Sequence, residues 1–389
     1  MSALMTTYSP LSISLSHGEG AWVWDEDGNR YLDGFGGIAV TALGHAHPRI
    51  TRAIAEQAHK IIHCSNIFTV SEQEKTGQAL CDISGMERVF FCNSGAEANE
   101  AALKIARLHA RTRDIAKPKV IVMEQSFHGR TIATLSATGN AKVHAGFEPL
   151  VEGFVRVPFN DLQAIEAAAK EHTDIVAILV EPIQGEGGIH VPAPAYLEGL
   201  RSLCDQHNWL LMLDEIQCGM GRTGKWFAYQ NTSALPDVVS VAKALGNGVP
   251  IGACMARGAA AELMQPGNHG TTFGGNPLSC RVASEVIAVM QEQNLPARAK
   301  ELGERMIGRL RDALDDVPTV VEVRGLGLMI GIELDRDPNP AREAAARHGA
   351  LVTTAGGNVL RLLPPYILSD DDADSLVDKV AEALRAEQA

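Results

Sequence analysis

No stretch of the chain approaches 18 consecutive apolar residues, so a membrane-spanning helix is not expected. The start, MSALMTTYSP, lacks the basic-then-apolar order of a secretion signal. The seven cysteines (64, 81, 92, 204, 218, 254 and 280) are odd in number and dispersed, and none stands in a C-x-x-C pair. That pattern excludes a disulfide framework and a cysteine zinc site, and points to a reduced, cytoplasmic protein. An excess of positive charge is missing too: 34 Lys and Arg face 47 Asp and Glu, a net charge of −13. Such a chain is a poor grip for phosphate backbones, so nucleic acid is not an expected partner, and neither is a membrane. A small local positive site is still compatible with that balance. No G-x-x-x-x-G-K-[ST] segment is present, which leaves nucleotide hydrolysis without support. Internal repeats, low-complexity runs and a Ser/Pro-rich linker are also absent.

What is present is a chain of 389 residues and 41.6 kDa, too long for one small core. The length fits two or three domains, or one large α/β body with an appendage, burying roughly three quarters of its unfolded surface. Hydrophobic residues at 46% and charged ones at 21% give the balance of a globular protein. Glycine is in excess, 37 of 389 residues, about 9.5% against about 7% in average usage. There is no G-X-Y period, so the excess belongs to loops.

The opening segment reads as a hairpin, Trp22–Trp24 and Tyr31-Leu32 around the turn Asp25–Asn29, and Pro48 suits the first position of a helix running to about Ile62. Short apolar runs then alternate with helical patterns. The runs are Arg88–Cys92, Lys119–Met123, Ile175–Val180, Trp209–Leu213, Val238–Val241 and Ile251–Met255; the helices are Gly95–Thr112, Leu162–Lys170 and Tyr196–Gln206. Alternation of this kind predicts a mostly parallel sheet covered on both faces. After about Pro277 come two long helical patterns, Leu278–Gln293 and Ala297–Leu314, strands Thr319–Arg324, Leu328–Leu334 and Val359–Leu362, and a last helix from Asp371. The expected organisation is a large α/β domain at residues 51–280, with residues 1–50 and 281–389 together building a smaller α+β domain.

In an open parallel sheet, ligands sit beyond the carboxyl ends of the strands. Ser94-Gly95-Ala96 follows the first central run and opens a helix, supplying a hydroxyl and backbone N–H groups for a phosphate. Taken alone, Ser94 is an ordinary N-cap. Phe127, His128 and Arg130 follow the second run, and Glu181 leads to Gly185-Glu186-Gly187-Gly188 after the third. Asp214 ends the fourth; alone it is a magnesium ligand, a base, a partner for a buried cation or a cap. Lys243 follows the fifth and is one of only 11 lysines among the 34 basic residues. A lysine at a buried sheet end loses basicity by desolvation and becomes a nucleophile; the ordinary alternative is a snorkelling surface lysine. Phosphate cradle, strand-end Asp and strand-end Lys together fit pyridoxal phosphate.

At this point the chain resembles the class III (ω-amino acid) aminotransferases, in particular the acetylornithine/succinylornithine group. The stretches that carry the resemblance are CNSGAEANEAALKIAR, SFHGRT, EPIQGEGG, LDEIQCGMGRTG, SVAKALGNGVPIGA, HGTTFGGNPLSC, VRGLGLMIGIEL and RLLPP, with GFGGIAVTALGHAHP nearer the start. Departures are small: Ala96 where that family usually has Thr, Ala244 and Asn247 in a segment often richer in Gly, and Cys218 where Thr is common. The resemblance implies the type I fold of pyridoxal-phosphate aminotransferases. It implies that Lys243 forms the Schiff base and moves the proton, that Asp214 faces the pyridine nitrogen, and that Gln217 bonds the phenolic oxygen. By the same resemblance Glu215 and Ile216 stand in the cofactor-binding stretch and Phe127 stacks on the ring. Gly95 and Ala96, with Ser94 beside them, cup the phosphate. Thr272 implies a homodimer, because its family counterpart reaches the neighbouring subunit's phosphate, and Thr271 touches substrate. Arg130 anchors the distal carboxylate, Arg361 takes glutamate's α-carboxylate, and Glu186 masks Arg361 when that carboxylate is absent.

The implied reaction moves the δ-amino group between N2-acetyl-L-ornithine and 2-oxoglutarate, in arginine biosynthesis; succinylornithine, ornithine and 4-aminobutyrate are the alternative donors. A racemase, aminomutase or decarboxylase of the same fold, and a non-enzymatic binder, are the other classes. The pair Arg130 and Arg361 favours a dicarboxylate co-substrate and hence transamination. A metal site is not expected: His45-Ala46-His47 lacks an acidic residue after it, and Asp214-Glu215 is better used on the ring. His128 reads as structural.

Overall fold

The computed structural model describes residues 3–387. The outermost residues of the two terminal segments, 1–2 and 388–389, lie outside the described residues. Three short strands open the chain, β1 (Leu15–Glu19), β2 (Trp22–Asp25) and β3 (Arg30–Asp33). The expected hairpin is the β2–β3 pair, with Val23 opposite Tyr31, and β1 adds a strand that the sequence pattern leaves unread.

Seven strands form the central sheet: β4 (Arg88–Cys92), β5 (Lys119–Met123), β6 (Phe154–Val157), β7 (Ile175–Val180), β8 (Leu210–Asp214), β9 (Val238–Val241) and β10 (Gly252–Ala256). Their order is β4-β10-β9-β8-β7-β5-β6. Strands β6, β5, β7, β8 and β9 pair in parallel, while β10 runs antiparallel between β9 and β4. Side chains alternate between two apolar layers. Val120, Val122, Leu210 and Met212 pack with the helix Gly95–Thr112 on one face; Ile121, Met123, Leu211 and Leu213 pack with the helix Tyr196–His207 on the other. Both faces being dry explains why these strands read as continuous apolar runs rather than alternating ones. Strand β6, with the sequence FVRV, escapes the pattern because Arg156 interrupts it and it lies at the sheet edge.

The remaining strands are β11 (Val320–Leu326), β12 (Met329–Leu334), β13 (Ala350–Leu351), β14 (Thr353–Ala355) and β15 (Val359–Leu362). Strands β11, β12, β15 and β14 form one small antiparallel sheet, whereas β13 joins the N-terminal strands by parallel pairing with β3. The two chain ends therefore share a sheet. One buried arginine fastens the small antiparallel sheet to the loop after β8. Arg222 is fully buried, donates through Nη1 to the carbonyls of Leu328 at 3.1 Å and Pro364 at 2.6 Å, and lies 4.5 Å over the Tyr366 ring. No described helix is long and apolar enough to cross a membrane.

Candidate active site

Because β5, β7, β8 and β9 are parallel, the loops that follow them open on one edge of the sheet, and β10, running the other way, begins there. At that edge lies a cavity of about 430 Å³. Its walls include Ser94, Gly95, Ala96, Phe127, Arg130, Glu181, Asp214, Ile216, Gln217 and Lys243, with Val40 and Val249–Ile251 completing an apolar side. The fold thus brings together residues from five separate strand ends.

The phosphate-sized end is the start of the helix Gly95–Thr112. Ser94 caps it, its hydroxyl accepting from Glu97 N at 3.3 Å. Gly95 and Ala96 occupy the first two helical positions, where an N–H has no carbonyl a turn earlier and remains free for an anion. A Cβ on Gly95 would stand 2.7 Å from the Ile216 side chain, so the bare backbone lets the two loops close together. Phe127 presents its ring to the same space, and the Arg130 guanidinium stands 5.6 Å from that ring's centre.

Asp214 is the last residue of β8 and 4% exposed. Its Oδ2 accepts from Asn99 Nδ2 at 2.7 Å and from His128 Nδ1 at 2.8 Å, and its Oδ1 accepts from the Ile216 N–H at 3.1 Å. Asn99 also donates to the His128 carbonyl at 2.8 Å, so the carboxylate, the ring and the helix form one rigid unit. The His128 ring is thereby engaged with Asp214 through Nδ1. Asn99 escapes sequence reading because a polar residue in mid-helix carries no local sign of its partner. Lys243 takes a left-handed conformation, φ 46°, directly after β9. Burial brings its ammonium down from an ordinary 10.5 to about 8, and Arg361 adds to that effect, while Glu186, Asp214 and Glu181 pull the other way.

Glu181 is a second feature the sequence pattern leaves unassigned. Its carboxylate accepts from Phe127 N at 2.9 Å and Gly185 N at 3.0 Å, tying two wall loops together. Burial raises it to about 7. Glu215 departs from expectation. Its side chain turns into the interior, where it accepts from Ala228 N and Tyr229 N, both at 2.9 Å, and from the Cys218 thiol at 3.2 Å. It takes no part in the cavity wall, and burial raises it also to about 7. Cys218 thus fills the Thr position by keeping a donor to Glu215.

Arg361, on β15, is 1% exposed and meets Glu186 through Nη1 and Oε1 at 2.6 Å. Gln217 touches both: its Oε1 accepts from Arg361 Nη1 at 3.2 Å and its Nε2 donates to Glu186 Oε1 at 3.4 Å. The charge of Arg361, first among the groups that oppose burial, holds the Glu186 carboxyl below its usual range. Thr271 and Thr272 line a neighbouring surface recess with Asn93 and Glu97 and do not reach the main cavity. Thr271 is within 3.5 Å of Asn93 Nδ2; Thr272 is exposed. Asn247 binds the Leu43 N–H at 2.8 Å and the Gly44 carbonyl at 3.2 Å, fastening the N-terminal segment over the loop that follows Lys243. His45 pairs with Asp33 at 2.7 Å. Among the described residues no group of three His, Cys, Asp or Glu side chains is placed to hold a metal ion.

Comparison with known proteins places this arrangement in context. The family model for the class-III aminotransferases matches residues 4–384. The acetylornithine aminotransferase of Nitrosomonas europaea is 50% identical over 387 residues, covering 98% of this chain and 97% of that protein. A solved structure of the ornithine aminotransferase from Toxoplasma gondii, in which pyridoxal phosphate partly occupies the active site, superposes with a TM-score of 0.96 at 36% identity, covering 99% of this chain and 93% of that one. The N-acetylornithine aminotransferase of Stenotrophomonas maltophilia gives a TM-score of 0.85 at 36% identity, with 97% of each chain covered.

Proposed function

We propose that this chain, which belongs to the class-III aminotransferases, moves the δ-amino group between N2-acetyl-L-ornithine and 2-oxoglutarate, with N-acetylglutamate semialdehyde and glutamate as the other pair. The observation that carries the reading is Lys243 and Asp214 facing one cavity from adjacent parallel strands, beside a free helix start. The cofactor is pyridoxal 5′-phosphate, and the cavity's own groups suit it: unpaired N–H groups for a dianion, a flat apolar ring, a buried carboxylate and an amine of lowered basicity. When bound, it supplies an aldehyde that captures amines and a protonated ring that withdraws electrons from the substrate carbon.

The chain's residues do the rest. Gly95, Ala96 and Ser94 would hold the phosphate, Phe127 would lie against the ring, and Gln217 would donate to the phenolic oxygen. Asp214, made immobile by Asn99 and His128, would keep the ring nitrogen protonated. Lys243 Nζ, neutral in a useful fraction near physiological pH, would take a proton from the amine-bearing substrate carbon and return it to the carbon on the far side of the nitrogen, two atoms away. Arg130 anchors the α-carboxylate of acetylornithine or the γ-carboxylate of glutamate by charge-assisted hydrogen bonds. Arg361 receives glutamate's α-carboxylate, and Glu186 neutralises Arg361 when the other substrate is bound. Thr271 touches substrate. Thr272, turned away from its own cavity, serves the phosphate of a second copy, so the working unit is a homodimer, in the cytoplasm and in arginine biosynthesis. The large domain spans 51–280, with 1–50 and 281–389 forming the smaller one.

Purified protein is expected to be yellow, and Lys243→Ala colourless. A wild-type protein that neither colours nor takes up pyridoxal phosphate overturns the reading. Ranking kcat/KM for acetylornithine, succinylornithine, ornithine and 4-aminobutyrate with 2-oxoglutarate is expected to put acetylornithine first; another leader moves the substrate assignment within the family.

A further inference from the structure

The contact between Arg361 and Glu186 has a third member. A guanidinium only donates, so the Gln217 atom facing Arg361 Nη1 at 3.2 Å is the amide oxygen, which leaves the amide nitrogen toward Glu186 at 3.4 Å. Gln217 is held in that orientation from behind: a Cβ on Gly185 would stand 2.4 Å from its amide carbon and oxygen, so the glycine leaves a slot that the amide fills. The two charged partners differ in freedom. Arg361 sits in β15, paired on both sides, opposite Gly331 of β12 and Thr353 of β14, and is 1% exposed. Glu186 is on a loop with its side chain 34% exposed. When the pair opens, Glu186 is the residue that leaves. Arg361 Nε is buried without a hydrogen-bond partner among the described residues, so once Glu186 has gone, Gln217 is the remaining side chain on the guanidinium.

We infer that Gln217 is a positioning residue for Arg361: its amide oxygen keeps the guanidinium aimed when Glu186 withdraws, and so sets the preference for substrates that carry a second carboxylate. The inference rests on the proposed transamination for the identity of those substrates and on the contacts above for the rest. A contact of Gln217 with the cofactor affects both half-reactions alike, since both use the same ring. Support of an Arg361 freed of Glu186 matters only to the half-reaction with glutamate, where Arg361 must bind a carboxylate. The ratio of the two therefore isolates the role.

The test uses Gln217→Leu, which keeps the size and removes the amide, and Gly185→Ala, which displaces the amide and leaves Gln217 in the sequence. Each full-length protein, as purified, is titrated calorimetrically with glutarate, a dicarboxylate with no amine to react, and each half-reaction is followed separately. Loss of one charged hydrogen bond predicts glutarate binding weaker by about 10-fold in both variants. It also predicts a kcat/KM for glutamate that falls about 10-fold more than that for acetylornithine, mostly through KM. Equal losses in the two half-reactions, or unchanged glutarate affinity, overturn the inference. If Gln217→Leu fails to fold, Gly185→Ala decides. A colourless wild type would defeat the transaminase reading separately, and the glutarate titration would still judge the tie between Gln217 and Arg361.

Discussion

Lys243 offers a quantitative test that needs no cofactor. With its ammonium brought down from 10.5 to about 8, roughly a quarter of the side chains are neutral at pH 7.5, against about one in a thousand for an ordinary lysine. That is a gain of about 200-fold in free amine. Competitive acetylation of the cofactor-stripped protein with trace acetic anhydride, read by peptide mass spectrometry, measures this directly, with the exposed Lys142 and Lys225 in the same digest as internal standards. The rate at Lys243 is expected to rise with pH to a midpoint near 8. The causes can be separated as well. Burial comes first and Arg361 assists it, while Glu186 opposes it. Glu186→Gln should therefore move the midpoint down and Arg361→Met should move it up. A wild-type midpoint near 10.5, or shifts of the same sign in both variants, would refute the claim that burial and this charge pair govern the amine.

Three further outcomes follow from the packing. Asn99→Ala strips two hydrogen bonds from the buried Asp214 and His128 carbonyl, and should cost about 2–4 kcal/mol in urea unfolding; a change under about 0.5 kcal/mol would show that the unit is not structural. Ser94→Ala removes the cap of the helix Gly95–Thr112, for about 1 kcal/mol on the same measurement, and on the proposed reading also weakens cofactor retention in dialysis. Two glycines of the helix Leu295–Leu314 should behave oppositely. Gly303→Ala sets a Cβ 2.1 Å from the Gly327 carbonyl oxygen and should destabilise by about 3 kcal/mol. Gly308→Ala meets nothing within 4 Å and should stabilise by about 0.5–1 kcal/mol. Thermal or urea unfolding that moves both the same way would count against the packing.

Where a feature depends on neighbours in the chain, the sequence makes it legible; where it depends on what folding brings together, it does not. The strands Lys119–Met123, Ile175–Val180 and Val238–Val241 have the bounds read from their apolar runs, because burial on both faces leaves each run unbroken, and Arg88–Cys92 has its read bounds at the sheet edge with only Phe91 and Cys92 buried. Strand β8 is shifted by one residue, Leu210–Asp214 rather than Trp209–Leu213. The reason is that Asp214 still pairs with Ser240 of β9, a ladder contact that outweighs its charge in setting the strand end. Strand β10 is shifted likewise, to Gly252–Ala256, because its register is set by antiparallel partners on both sides. The two-residue β13 shows no pattern at all and exists only by pairing with β3 from the other end of the chain. The site divides the same way. Asp214 and Lys243 are conspicuous because a charged residue at the end of an apolar run violates the run's own logic. Glu215 stands beside Asp214 and looks equally conspicuous, yet consecutive residues leaving a strand point to opposite sides. One faces the cavity and the other is satisfied by Ala228, Tyr229 and Cys218 in the interior. Asn99 and Arg222 obey no such local signal, and Glu181, which does stand directly after an apolar run, hides its partner: Asp214, Pro364 and Phe127 are all distant in the chain. They are the residues that hold the conspicuous ones still. Geometry that chemistry requires is thus written twice in this chain: openly at the strand ends, and covertly in buried polar side chains whose meaning appears only when the loops meet.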